Sequence, residues 1–281
     1  MKNQLRFVTF VVAGALALVG VTGTADAGRG GSAERIMNAK ATGSVDAIIA
    51  EVERAERLTC DRCVPVVMDL LDDDRYEVRE VAGWWFARRA KLKVELAARA
   101  TTDLAGSDSR LARNGADLLG AFMHPGAVSA LTAAAGRTSL SADARLAAVR
   151  ALGMIGHPAG RAGVTTGLGD ADASVRLTAL DAWPRLRDVS DAAPVVALLT
   201  DADARVRAAA AGVIGGERDR SGRAGLEAVL AGDADANARR NAAWALGQLG
   251  DAASRAALTA ATTDPSPLVR STAKAALTAL R

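Results

Sequence analysis

Apolar and polar positions along most of this chain recur in blocks. An arginine returns at Arg79, Arg113, Arg145, Arg176, Arg207, Arg239 and Arg270, at intervals of 34, 32, 31, 31, 32 and 31 residues. Three apolar rows travel with it. The residue before the arginine is Val78, Ala112, Ala144, Val175, Val206, Ala238 or Val269. The third residue after it is alanine in every copy: Ala82, Ala116, Ala148, Ala179, Ala210, Ala242 and Ala273. The seventh after it is Phe86, Leu152, Trp183, Ile214, Leu246 or Leu277, and Gly120 breaks this row in a second copy that reads one residue short. These rows lie four residues apart and form one stripe along a helix. The all-alanine row marks where helices pass too closely for a larger side chain.

The polar positions mark where that helix begins. Four residues before the arginine stand Arg75, Ser109, Ser141, Asp172, Asp203, Asp235 and Ser266. All but Arg75 can cap a helix through a side-chain oxygen, and Pro267 suits a first helical position. Six residues before it stand Asp73, Ser107, Ser139, Asp170, Asp201, Asp233 and Asp264. These are turn residues within reach of the arginines of an adjacent unit, so a ladder of short ion pairs and hydrogen bonds is expected along the stack. The alternative, an arginine row that binds phosphate or nucleic acid, needs a basic footprint that this chain lacks.

A period of this size predicts stacked two-helix units, none of which can bury its apolar face without a neighbour. Hydrophobic residues make up 50% of the chain but aromatic ones only 3%, which suits close-packed helices and leaves no strand-rich segment. The pattern therefore predicts one continuous all-α stack of about seven two-helix units over residues 64–281, closed at its far end by the more polar Ser271, Thr272, Lys274 and Thr278. At the near end Val45, Ile48, Ile49, Val52 and Ala55 have helical spacing, which predicts a capping helix and a CxxC turn over residues 44–63. Residues 28–43 are expected to form a flexible leader.

The N-terminus places Lys2 and Arg6 before an apolar run from Phe7 to Val21, then Ala25-Asp26-Ala27. This is the layout of a secretory signal peptide over residues 1–27, so an exported chain starting near Gly28, periplasmic in location, is expected, with an uncleaved anchor as the alternative. Its loss removes Lys2, Arg6 and Asp26 and lowers the formal charge from +3 to +2. Near-neutrality and export argue against a nucleic-acid partner. No segment of the mature chain is apolar enough to span a membrane.

Segments such as DADARVRAAAAGVIGG from Asp201 and DADANARRNAAWALGQLG from Asp233 resemble HEAT-type repeats of the bilin-lyase-like group. The resemblance covers about Val64 to Arg281 and implies a right-handed α-solenoid of HEAT-like repeats. Similar repeats serve as adaptors, scaffolds, chromophore lyases and an iron-dependent hydroxylase, so fold does not decide function. The hydroxylases carry paired His-Glu motifs, and none is present here. The two histidines, His124 and His157, each precede a proline in a loop, with His157 where the sixth copy has Asp251. Two imidazoles without carboxylate support make a poor metal site.

Cys60 and Cys63 are the two cysteines, in LTCDRCVPVVMDLL. Val64 follows where haem attachment requires histidine, the βαβ setting of a thioredoxin is missing, and zinc would need two more ligands. In an oxidising compartment a local disulfide pinning the turn is the leading reading; redox and metal readings stay open. No phosphate loop, nucleophile elbow or Ser/His/Asp set is evident, so neither a catalytic residue, a metal nor a cofactor is expected.

The remaining candidates are positions the stack does not need. Five residues after the arginine the chain reads Trp84, Leu118, Arg150, Asp181, Gly212, Trp244 and Ala275, a row that lies on the concave side in similar HEAT-type stacks. Tryptophan and arginine are favoured binding anchors. Trp84, Leu118 and Phe122, rimmed by Arg88 and Asn114, are expected to form one patch, with Arg150 in the same row; Trp244 with Arg240 is expected to form a second, too far away to share a pocket. Trp85 and Trp183 are assigned to the core, and coverage of Trp84 by the N-terminal helix is the competing reading. The functional expectation is an exported, monomeric, non-catalytic scaffold that binds a protein or peptide on the concave face. The alternatives are an enzyme accessory, either a chromophore handler or a Cys60/Cys63 redox module, and a purely structural envelope protein.

Overall fold

A computed structural model describes residues 31–57, 60–186 and 192–280. The signal peptide expected over residues 1–27 lies outside them. Every regular element among the described residues is an α-helix or a short 3-10 turn. Two helices, α1 (Ala33–Thr42) and α2 (Val45–Arg54), precede seven helix pairs. The pairs are α3 (Cys63–Leu70) with α4 (Tyr76–Ala87), α5 (Ala90–Ala105) with α6 (Ser109–Ala121), and α7 (Val128–Ala135) with α8 (Ala142–Ile155). They continue as α9 (Arg161–Leu168) with α10 (Ala173–Ala182) and α11 (Ala193–Ala197) with α12 (Ala204–Glu217). The last two are α13 (Arg223–Gly232) with α14 (Ala236–Leu249), and α15 (Arg255–Ala261) with α16 (Pro267–Ala279). Each second helix packs on the second helix of the next pair, from α4 through α16, which makes the chain an all-α solenoid.

The apolar rows do what their periodicity requires. All seven alanines of the central row and all seven residues of the row before the arginine are fully buried. The broken row has a simple explanation. Asp108, one residue earlier than the row predicts, caps α6 by accepting from Arg110 N and Leu111 N at 2.8 and 3.1 Å. The later part of α6 is accordingly shifted by one, so Leu119 takes the large buried place and Gly120 the place after it. That next place is glycine in three other copies, Gly153, Gly215 and Gly247. A Cβ there would come within 2.6 Å of Ala182, 2.7 Å of Ala245 and 2.8 Å of Ala276 respectively, so successive second helices meet backbone to backbone.

The ladder is present with a defined geometry. The guanidinium Nε and Nη2 donate to both oxygens of an aspartate in the following unit: Arg145 to Asp170 at 2.6 and 2.8 Å, and Arg176 to Asp201 at 2.8 and 2.8 Å. Arg207 does the same to Asp233 at 2.6 and 2.7 Å, and Arg239 to Asp264 at 2.8 and 2.9 Å. Nη1 of Arg176 turns back onto the carbonyls of Asp170 and Ala171 in its own unit at 2.8 and 3.0 Å. Each of these aspartates also accepts from the backbone N–H two residues on, fixing the turn ahead of its own helix. Ser107 and Ser139 supply no carboxylate, and the first two rungs differ accordingly. Arg79 grips Asp117 from within α6, and Arg113 leans on Asn114 and Asp74.

The leader expected over residues 28–43 is instead a helix from Ala33. Ser32 caps it, Gly43 ends it at φ 72°, and Ile36 and Ala39 bury against α2 and α3. With two buried side chains in ten residues, its periodic signal is weak. The capping helix α2 buries Ile48, Val52 and Ala55 as expected, and the Trp85 indole donates to Ala55 O at 3.1 Å. Cys60 and Cys63 form a disulfide at the start of α3.

Two tests follow from this packing. Gly153→Ala should lower stability by about 1–3 kcal/mol through overpacking, whereas Gly212→Ala, where an added Cβ meets nothing within 4 Å, should raise it by about 0.5–1 kcal/mol. Urea titration of both variants reads the two signs. The arginine partners hold Asp170, Asp233 and Asp264 below the ordinary carboxylate value of 3.8, and Arg75 holds Asp73 at about 2. A depressed folded-state pKa gives stability that is complete above the unfolded value and is lost as pH falls through the folded one. The urea midpoint should be flat from about pH 7 to 5 and fall from about pH 4 toward 2; a rise on acidification through that window would contradict the ladder.

Candidate functional site

The first candidate patch is not assembled as an open surface. Leu118 and Phe122 are 7% and 3% exposed, packed inside the second repeat. Asn114 is also buried and donates to Asp72 Oδ1 at 2.9 Å. The space beside Asn114 and Leu118, between α3, α5 and α6, is a shallow cleft of about 30 Å³. Trp84 is half-buried beneath the Arg88 guanidinium, 4.0 Å from the ring centroid, and Arg88 pairs with Glu56 at 2.5 Å. Trp85 and Trp183 are interior, as assigned.

Arg150 is committed to a polar cluster that the sequence reading missed. Its Nη2 donates to Asp117 Oδ1 at 2.6 Å, while Arg79 donates twice to Asp117 Oδ2 at 2.9 and 2.7 Å. Arg79 and Asp117 are each 4% exposed. The Arg150 guanidinium also covers the Tyr76 ring at 3.6 Å, and the Tyr76 hydroxyl donates to Glu80 at 2.8 Å. Burial, and then the Glu80 carboxylate, push the Tyr76 phenol well above its ordinary value, so it stays neutral. Two arginines and two carboxylates thus lock α4, α6 and α8 together. A signal existed: four residues after the arginine the copies read Gly83, Asp117, Val149, Leu180, Ala211, Ala243 and, in the closing repeat, Lys274, so Asp117 is the one charge in this row before the end of the stack.

The open part of the second-helix face lies further along. Pro184 stands where other repeats have the close-approach glycine, α10 ends in a 3-10 turn from Trp183 to Leu186, and α11 is five residues long. A groove of about 500 Å³ opens between α10 and α12. Leu177, Leu180, Pro184 and Val213 form its apolar walls, and Gly212 and Gly216 give it a bare backbone edge. Asp181 and Glu217 place carboxylates on it. Glu217 Oε1 and the Trp183 indole N–H are both buried. Burial pushes the Glu217 carboxyl up, with the Trp183 N–H pulling the other way. Trp244 is 41% exposed and leans over Gly215, and Arg240 donates to Asn241 Oδ1 at 3.2 Å.

His157 is a capping residue, its Nδ1 accepting from Ala159 N at 3.2 Å as Asp251 accepts from Ala253 N. Among the described residues no group of three His, Cys, Asp or Glu could hold a metal ion, and no helix is long and apolar enough to cross a membrane.

The cluster generates a test. Asp117→Ala leaves Arg79 and Arg150 without their shared counter-ion and should cost about 3–5 kcal/mol by urea titration, whereas Arg205→Ala, which removes an exposed pair and leaves the Asp203 cap in place, should leave the urea midpoint nearly unchanged.

The HEAT repeats family matches residues 137–215 and 192–278, together just over half the chain. No curated protein matches it. Among solved structures, Escherichia coli YibA is similar at 16% identity over 87% of this chain and 92% of its own, with a TM-score of 0.57. Yeast importin-beta (Kap95p) is similar at 14% identity over 88% of this chain and 39% of its own, with a TM-score of 0.59. An engineered protein is similar at 19% identity over 88% and 78%, with a TM-score of 0.52. At these identities the likeness to solved structures is one of fold, an all-α stack of helix pairs; by the family match over half its length, the chain belongs to the HEAT repeat family.

Proposed function

We propose that this chain is an exported, non-catalytic scaffold that holds a protein partner on the face of its second helices, seated in the groove between α10 and α12. The observation that carries the reading is the groove itself. It joins apolar walls, two glycines that let a backbone approach closely, and the carboxylates of Asp181 and Glu217. A peptide segment with an apolar side chain beside a lysine or arginine suits all three at once, since the cation pairs with the carboxylates. Trp244, two helices away on the same face, offers a second aromatic contact. Arg150 and Asn114, tied to Asp117 and Asp72, are positioning residues of the stack in this reading.

Affinity co-purification from the native envelope fraction tests it. Gly212→Leu fills the groove from a position with free space around it, so the fold should persist while partner capture falls by at least about tenfold. Glu217→Gln should weaken capture several-fold, most for partners with a basic anchor. Undiminished capture by a folded Gly212→Leu chain would remove the groove from the account.

A further inference from the structure

The CxxC turn lies at the other end of the molecule from that groove and has a site of its own. Cys63 opens α3 and is fully buried, whereas Cys60 is partly exposed. The Cys63 N–H donates to Cys60 Sγ at 3.1 Å, so the more exposed sulfur is the one that a helix-start amide faces. Cys60 lines an open groove of about 440 Å³ with Val64, Leu92 and a surplus of cations. Arg88 in this groove is paired with Glu56, and Arg89 donates to Trp85 O at 2.6 Å, which leaves Arg57 and Lys91, both exposed, set against Asp61. A positive, partly exposed setting with a helix-start amide lowers a thiol pKa and favours exchange, whereas an inert structural disulfide needs neither.

We propose that the Cys60–Cys63 disulfide is exchangeable and accepts two electrons from a protein dithiol that docks on this groove. The substrate thiolate attacks Cys60 Sγ, the sulfur with access; the Cys60–Cys63 bond breaks, and Cys63 leaves as thiolate. The second substrate thiol, as thiolate, attacks its own sulfur in the mixed disulfide and expels Cys60. The substrate ends as a disulfide, Cys60 and Cys63 end as thiols carrying the two protons that the substrate thiols gave up, and a small-molecule disulfide such as oxidised glutathione restores the pair. The amide of Cys63 and the net positive groove stabilise the Cys60 thiolate as it leaves. This reaction stands apart from docking between α10 and α12, and either can fail alone.

The test uses the full chain, native, at pH 7, with a reduced two-cysteine peptide as probe. The expected result is one equivalent of peptide disulfide formed per chain without denaturant. Acid quenching and alkylation should place the mixed disulfide on Cys60, and the Cys63→Ala chain should trap it when offered the oxidised peptide. The double variant Arg57→Gln with Lys91→Gln should slow exchange by roughly tenfold while its thermal midpoint stays put. Peptide oxidation that requires urea, trapping at Cys63, or a rate indifferent to the two cations would each overturn the proposal. If Cys63→Ala fails to fold, the stoichiometry and the charge variant in the intact disulfide chain still decide it.

Discussion

The bidentate contact between an arginine and the aspartate of the next unit is the interaction on which the rest of this molecule depends. The aspartate that receives Arg176, for instance, also accepts the Asp203 N–H and so shapes the turn from which α12 starts. The arginine meanwhile ties the turn of its own unit through two carbonyls. One rung therefore fixes two turns and the register between them. The apolar rows cannot do this alone, because surfaces built from alanine and valine offer few features that distinguish one register from a neighbouring one. Where serine replaces aspartate, the molecule finds other ties: Asp117 for Arg79, and Arg137 reaching the carbonyls of Leu104, Ala105 and Gly106 at 2.9, 3.1 and 2.7 Å.

The same economy explains where a surface is left over. Glycine against alanine brings successive second helices into backbone contact and closes the gap between them. Pro184 ends that arrangement once, by stopping α10 early at the place where a glycine would continue it. The groove beside α12 follows from one residue in one row: Pro184 and Val213 stand at positions that are buried in most other repeats and are open here, while Leu180 stays buried beneath them.

The number of repeats, the fully buried rows and the ladder were legible in the sequence because each is restated in copy after copy, so that noise in one copy is corrected by six others. What escaped was local. Helix α1 buries only Ile36 and Ala39, too little to show a period. The cap of α6 slipped by one residue to Asp108, which made Gly120 look like an exception when it belongs to the glycine row. The variable row was a fair guide to the second-helix face but a poor guide to exposure. Leu118 is buried by the packing of its own repeat, and Arg150 is drawn in by Asp117, a residue that stood out only as the one charge in its row before the closing repeat. Trp244 remained exposed. Burial of a single side chain depends on what the neighbouring units place beside it, and a period does not report that.

The most direct measurement places a photoreactive side chain at Gly212 and, separately, at Gly232 at the far end of α13, two positions where an added Cβ meets nothing within 4 Å. After irradiation of the cells that make the chain, the account predicts one discrete crosslinked partner at Gly212 and none at Gly232. Crosslinks that are equal at both positions, or absent from Gly212 while the chain is folded, would contradict a partner seated between α10 and α12.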